Sequence, residues 1–152
     1  MKKRIITICT SVTFYKQALA IQKELRKKGF QAIVPSTAYI MRKTGVYDEN
    51  VYKTWFKNKK DYHKKTAVML DHFKKVRKAD AILVLNLEKR NTKGYIGGNV
   101  LMEMTLAFLH KKPIFIYNEI LDNLPIAEEV YGLQPIFLQG DLSKITLRKK
   151  SQ

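Results

Sequence analysis

Apolar residues along the chain alternate between two patterns. Short continuous runs, several rich in β-branched residues, occur at residues 4–9 (RIITIC), 30–34, 81–85 (AILVL), 113–117 (PIFIY) and 136–138. Runs of this kind read as buried strands. Between them the apolar positions recur at helical spacing. Ala18, Ile21 and Leu25 lead up to a helix stop at Gly29. Residues 51–78 are helical with an interruption near 58–61, and Ala67, Leu70, Phe73 and Val76, with Met69 nearby, form the expected apolar face. Residues 100–109 and 126–131 give two further helices. A turn is expected at 10–13, a long polar and aromatic loop at 35–50, and a glycine-bearing loop at 87–98; residues after Asp141 read as a basic tail.

Strands alternating with helices in this order predict a single α/β domain with a flavodoxin-like or Rossmann-like, doubly wound parallel sheet of about five strands. Ligands of such sheets bind beyond the carboxyl ends of the strands. That puts a site among residues 10–15, 35–50, 86–99 and 118–123.

Composition narrows the class. The chain has 152 residues and 17.7 kDa, 45% hydrophobic and 28% charged. This is one globular domain, large enough to bury a core without a disulfide or metal. A lone cysteine, Cys9, excludes a disulfide framework and a Cys-type zinc site. With so little thiol and no signal peptide, the reducing cytoplasm is the expected compartment. No apolar run approaches the roughly 20 residues that span a bilayer, so no membrane partner is expected.

The net charge of +16 is uneven: residues 1–78 hold 20 basic against 5 acidic residues, and residues 79–152 hold 9 against 8. Such asymmetry fits either a phosphate-bearing partner or a solvated lysine surface, since 23 of the 29 basic residues are Lys. Nucleic acid is a possible partner but not the favoured one. Only Tyr47, Tyr52, Trp55, Phe56 and Tyr62 interleave the lysines as a nucleic-acid groove would.

Glu103 is the sharpest chemical feature. In residues 100–109 (VLMEMTLAFL) only Glu103 and Thr105 are not hydrophobic, so the helix is expected to be packed on all sides. Val100 and Ala107 share the face of Glu103. Burying a lone carboxylate costs several kcal/mol unless something compensates. The nearby helix amino end favours an anion, and an ionised carboxylate at the mouth of a sheet suits nucleophilic catalysis. A structural Glu tied to a Lys or Tyr is the alternative.

Residues 80–86 (DAILVLN), the glycine-bearing loop, residues 99–104 (NVLMEM), Ala107 and residues 112–114 (KPI) together resemble the nucleoside 2-deoxyribosyltransferase family. Cys9-Thr10-Ser11 with Phe14-Tyr15 is similar to that family's first strand and substrate loop. The resemblance spans most of residues 4–118 and is strongest over 79–118. It implies a flavodoxin-like sheet and cleavage of the N-glycosidic bond of deoxynucleosides or their monophosphates. It also implies Glu103 as nucleophile, no cofactor, and sites completed across subunit contacts near Asn118. Near relatives hydrolyse rather than transfer. Two departures stand out. The slot eight residues before Asp80, commonly acidic and assisting departure of the base, holds His72, with Asp71 beside it. The loop after Asn86 is longer and ends GYIGGN.

The remaining candidates each leave two readings. His72 is a proton donor or a core histidine. Gly97, Gly98 and Asn99 offer backbone N–H groups to an anion at a helix start, or are flexible loop. Ser11 and Thr10 hold a ribose hydroxyl or phosphate, or cap the first helix. Tyr15 joins the substrate loop through the resemblance. Asn86 and Asn118 face the crevice or make turns. Asp80 reads as fixing a helix-to-strand turn, and Cys9 as an inert core thiol. His63 and His110 lack partners at metal-ligand spacing, so no metal site is expected.

The leading expectation is therefore an N-glycosidase or deoxyribosyltransferase acting on a small-molecule nucleoside or nucleotide. The alternative is a non-catalytic nucleotide- or nucleic-acid-binding module on the same fold. A homodimer or larger assembly is also expected. It would cover the apolar helix through Met102, Met104 and Phe108 and keep water from the site; coverage by residues 120–138 of the same chain is the alternative.

Overall fold

The computed structural model describes residues 2–148. Five parallel strands form one sheet: β1 (Ile5–Thr10), β2 (Gln31–Ile33), β3 (Ala81–Leu85), β4 (Ile114–Ile116) and β5 (Ile136–Phe137), in the order β2-β1-β3-β4-β5. The helices are α1 (Tyr15–Lys27), α2 (Ser36–Thr44), α3 (Glu49–Tyr52), α4 (Tyr62–Lys78), α5 (Gly98–Leu109) and α6 (Ala127–Gly132). The doubly wound expectation holds.

The central strands are buried on both faces, which is why β3 and β4 are apolar throughout. The buried Thr7 and Thr10 of β1 spend their hydroxyls on the Lys75 and Leu85 carbonyls. Ile6, Ile8, Leu83, Leu85 and Phe115 pack with Ala18, Leu25 and Ala38 on the α1–α2 side. Cys9, Ile82, Val84, Ile114 and Ile116 pack with Val76, Val100, Met104, Ala107 and Val130 on the α4–α5–α6 side. The chain leaves β1 over one face and returns to β3 over the other. The strand order therefore switches direction between β1 and β3, and a crevice opens beyond their carboxyl ends. Asp80 anchors the entry to β3 as expected, accepting from the Ile5 backbone N–H at 2.8 Å and pairing with Arg4 at 3.0 Å.

Four expectations need correction. Residues 35–50 are not a loop: they contain α2 and the start of α3. Pro35 precedes α2, and Gly45, at φ +74°, closes it by donating its N–H to the Met41 carbonyl at 2.8 Å. Only Ala38 and Met41 of its nine residues are buried, too short an apolar stripe to show a period.

The face of α4 is also different. His72 and Val76 are its buried residues, while Val68 and Leu70 are 39% and 53% exposed and Ala67 is exposed too. The helix turns its Lys65–Met69–His72 side toward the crevice, which rotates Ala67 and Leu70 outward.

Helix α5 is not packed on all sides. Val100, Glu103, Met104 and Ala107 are buried against the sheet and α4, but Met102, Phe108 and Leu109 are 44%, 46% and 71% exposed. Met104 is fully buried and so presents nothing to a second subunit.

Finally, residues 141–148 do more than trail as a basic tail. Leu142 and Ile145 are buried in the α1-side core. Residues 149–152 of the expected tail lie outside the described residues.

Candidate active site

A cavity of about 400 Å³ opens at the β1–β3 switch point, and Glu103 and His72 are in its wall. Each side chain is delivered by a different element. β1 ends in Cys9-Thr10, the second half of α4 carries His72, and the first turn and a half of α5 carry Asn99 and Glu103. Gly97 precedes α5 in extended backbone, and Gly98 starts it with open space where a Cβ would stand. Both glycines line the cavity.

Glu103 is 2% exposed. Its Oε1 accepts from Asn99 Nδ2 at 2.9 Å, while Oε2 lies 3.8 Å from His72 Nε2 and has no hydrogen-bond partner. Burial pushes its carboxyl up to about 8, with the Cys9 thiol and then the Lys65 ammonium pulling the other way. The expected ionised carboxylate is thus a carboxylic acid at rest, because the Cys9 thiol, one amide and the Lys65 ammonium do not compensate for desolvation. Burial likewise drives His72 down to about 4, aided by Lys75, so its imidazole is neutral. Neither ring nitrogen has a well-formed hydrogen bond. The Cys9 thiol, raised by burial and then by Glu103, completes the group. Donor atoms of Cys9, His72 and Glu103 all lie within 4.8 Å of one another.

Asn99 links this floor to the basic wall, since its Oδ1 accepts from Lys65 Nζ at 3.1 Å. Burial lowers Lys65, and Lys53 adds to the shift. Ser11 does not cap a helix with its side chain; its Oγ accepts from Lys89 Nζ at 3.1 Å. Lys89 also sits 5.2 Å from the centre of the Tyr95 ring. Tyr15 lines the cavity, its phenol raised by burial and by Glu103. Asp71 stands at the rim rather than the floor. It accepts from Ser36 Oγ at 2.6 Å and pairs with Lys75 at 3.0 Å, and these two partners hold its carboxyl below the usual range. It is an anion with no proton to give.

Three candidates are elsewhere employed. Asn86 is fully buried: its Nδ2 donates to the Asn118 carbonyl at 2.8 Å and its Oδ1 accepts the Asn118 N–H at 2.8 Å. Asn118 Nδ2 returns a hydrogen bond to the Asn86 carbonyl at 3.1 Å. The pair clamps the ends of β3 and β4 together and does not line the cavity. The Thr10 hydroxyl is spent on the Leu85 carbonyl.

In the sequence Cys9 reads as an inert core thiol and Trp55 only as an aromatic among lysines, and neither Lys65 nor Lys89 is singled out. Trp55, the single tryptophan, is 7% exposed in the cavity wall with Lys65 5.9 Å from its ring centre. Its place among lysines was the available signal. The expectation of no metal site weighs only His63 and His110, whereas the fold gathers a donor set from three distant segments.

No protein-family model matches this chain. No curated protein matches it at a significant level. Among the described residues no helix is long and apolar enough to cross a membrane.

Proposed function

We propose that the protein cleaves or transfers at the N-glycosidic bond of a (deoxy)nucleoside or its 5′-monophosphate, with Glu103 as nucleophile. One observation carries the reading: a carboxyl group 2% exposed at a cavity floor, with Oε2 unpartnered and an imidazole 3.8 Å away. A structural glutamate would have both oxygens engaged. The family resemblance of residues 79–118 adds to it.

The resting protonation states balance the chemistry. Glu103 starts as the acid and His72 as the neutral base. The proton passes from Glu103 to His72 and on to the departing base. The carboxylate oxygen bonds to the anomeric carbon as the C–N bond breaks toward the base. This first half leaves a glycosyl ester on Glu103 and a neutral free base. Water or a second base then attacks the anomeric carbon. With water, the sugar gains a hydroxyl and one proton returns to Glu103. This is the retaining logic of glycoside hydrolysis.

Lys53, Lys64, Lys65 and Lys89 in the cavity wall favour a substrate carrying phosphate. They support the alternative of a non-catalytic nucleotide-binding module equally well, and turnover separates the two. The test is free-base release from a panel of nucleosides, deoxynucleosides and their 5′-monophosphates. The intact protein is expected to release base, and Glu103→Ala to lower the rate by at least about a thousandfold. Tight binding across the panel without release would establish the module instead.

A further inference from the structure

We propose that Cys9, His72 and Glu103 form a binding site for a divalent cation of the zinc class, with its fourth coordination position open to the cavity. The glycosidase reading leaves the Cys9 thiol without a task, yet the fold brings it within 4.8 Å of two other ligand atoms. These atoms come from β1, α4 and α5, three elements packed against one another in a single core. Folding itself therefore assembles the set.

Two independent features point to a missing ligand. His72 and Glu103 are 5% and 2% exposed, and both ring nitrogens and the Oε2 oxygen are buried without a hydrogen-bond partner. Buried polar atoms of native proteins are overwhelmingly paired, so His72 Nε2 and Glu103 Oε2, two orphans 3.8 Å apart, mark a site. The second feature is the donor chemistry. Thiolate, imidazole and carboxylate together suit Zn²⁺ and disfavour Mg²⁺ or Ca²⁺, which take oxygen ligands.

Geometry agrees. Zinc-to-donor distances of about 2.0–2.3 Å put tetrahedral donors roughly 3.3–3.7 Å apart. His72 Nε2 and Glu103 Oε2 are already 3.8 Å apart, and no pair in the set exceeds 4.8 Å. Side-chain adjustments of about 1 Å close the remainder. Asn99 Nδ2, bonded to Oε1, orients the carboxylate so that Oε2 is the ligating atom, an outer-shell role typical of metal sites. Charge balances as well: a thiolate and a carboxylate cancel the dication, so the buried complex is neutral. Binding displaces the thiol proton and the Glu103 proton to solvent, while the ion sheds water for three protein ligands.

The test uses full-length protein stripped with a chelator and titrated with Co²⁺, then Zn²⁺, with no substrate present. One equivalent of Co²⁺ is expected to give a thiolate-to-metal charge-transfer band and the intense visible bands of a four-coordinate ion, and Zn²⁺ to abolish both. Cys9→Ala should lose the charge-transfer band, and His72→Gln the stoichiometric binding, with each fold checked by circular dichroism. A wild-type protein without the band overturns the proposal. So do visible bands of unchanged intensity and stoichiometry in His72→Gln, which would mark cation binding away from this set. His72→Gln keeps the test decisive if Cys9→Ala does not fold. Metal uptake is read without turnover, so this result and the glycosidase assay fail or succeed separately.

Discussion

Replacing Glu103 by glutamine is expected to make the metal-free protein more stable, by a margin that grows as the pH rises from about 4.5 to about 8. Glutamine has the shape of the protonated acid. Its oxygen can still accept from Asn99 Nδ2, and its amide faces His72, where an N–H donor meets an unpartnered ring nitrogen. The carboxyl, in contrast, has a folded-state value of about 8 against an ordinary 4.5. The folded protein keeps this proton over a window in which the unfolded chain has lost it. The stability so contributed is fully present below the unfolded value and is lost as pH rises through the folded one. Each unit of pH costs about 1.4 kcal/mol across the window, so the wild type falls behind by on the order of 5 kcal/mol by pH 8.

His72 acts in the opposite sense. Its folded value near 4 means stability is lost as pH falls from 6.5 toward 4. That term is present in both proteins and cancels in their difference. The assay is urea unfolding followed by circular dichroism at pH 5, 6.5 and 8, with chelator present. A difference that stays constant with pH would refute the reasoning. So would a wild type that gains on Glu103→Gln at high pH, because either result means the buried carboxylate is satisfied as an anion.

Other perturbations separate architecture from chemistry. Asn86→Ala should destabilise by about 2–4 kcal/mol in denaturant titration, because it strands the Asn118 N–H and carbonyl and removes the bond to the Gly94 carbonyl. An unchanged midpoint would mean the clamp between β3 and β4 is dispensable. Gly94→Ala should cost roughly 2–4 kcal/mol: φ is +65°, and an added Cβ would stand 2.1 Å from the Glu119 carbonyl oxygen. A midpoint equal to that of wild type would contradict this. Sedimentation should show a dimer or larger species that Phe108→Glu dissociates, since Met102, Phe108 and Leu109 leave an apolar strip of α5 exposed. A wild-type monomer at micromolar concentration would refute the expected assembly.

The parts of the fold legible in the sequence are those whose burial is symmetric. β1, β3 and β4 are covered on both faces, so β3 and β4 read as unbroken apolar runs needing no period, and β1 as a β-branched run broken only by threonine. Helix α2 was illegible because its burial rests on Ala38 and Met41 alone, and the polar majority of its residues carries the pattern. Glu103 was legible for the converse reason: one charge in an apolar helix is conspicuous. Cys9 was not, because a thiol in an apolar strand looks like core until α4 and α5 fold across it. Asp71 and His72 were separable in principle. Adjacent residues on a helix point about 100° apart, so only one can face the floor, and the spacing of His72 from Met69 and Val76 turns it inward, as it is in the structure. Asn86 and Asn118 stayed ambiguous because polar residues ending adjacent strands satisfy each other as readily as they bind a ligand.

The resting state of the floor explains why it tolerates burial at all. An anion, a cation or an ion pair there would each carry a desolvation cost of several kcal/mol. With Glu103 protonated and His72 neutral, this pair at the cavity floor buries no charge. Charge is then created only together with what neutralises it. In the sugar reaction, the proton that frees the carboxylate leaves on the base while the oxygen becomes an ester. In metal binding, the two departing protons are replaced by one dication. Both readings thus require a neutral floor with unfilled hydrogen-bonding capacity. They compete for the same oxygen, Glu103 Oε2, which Asn99 leaves free by holding its neighbour.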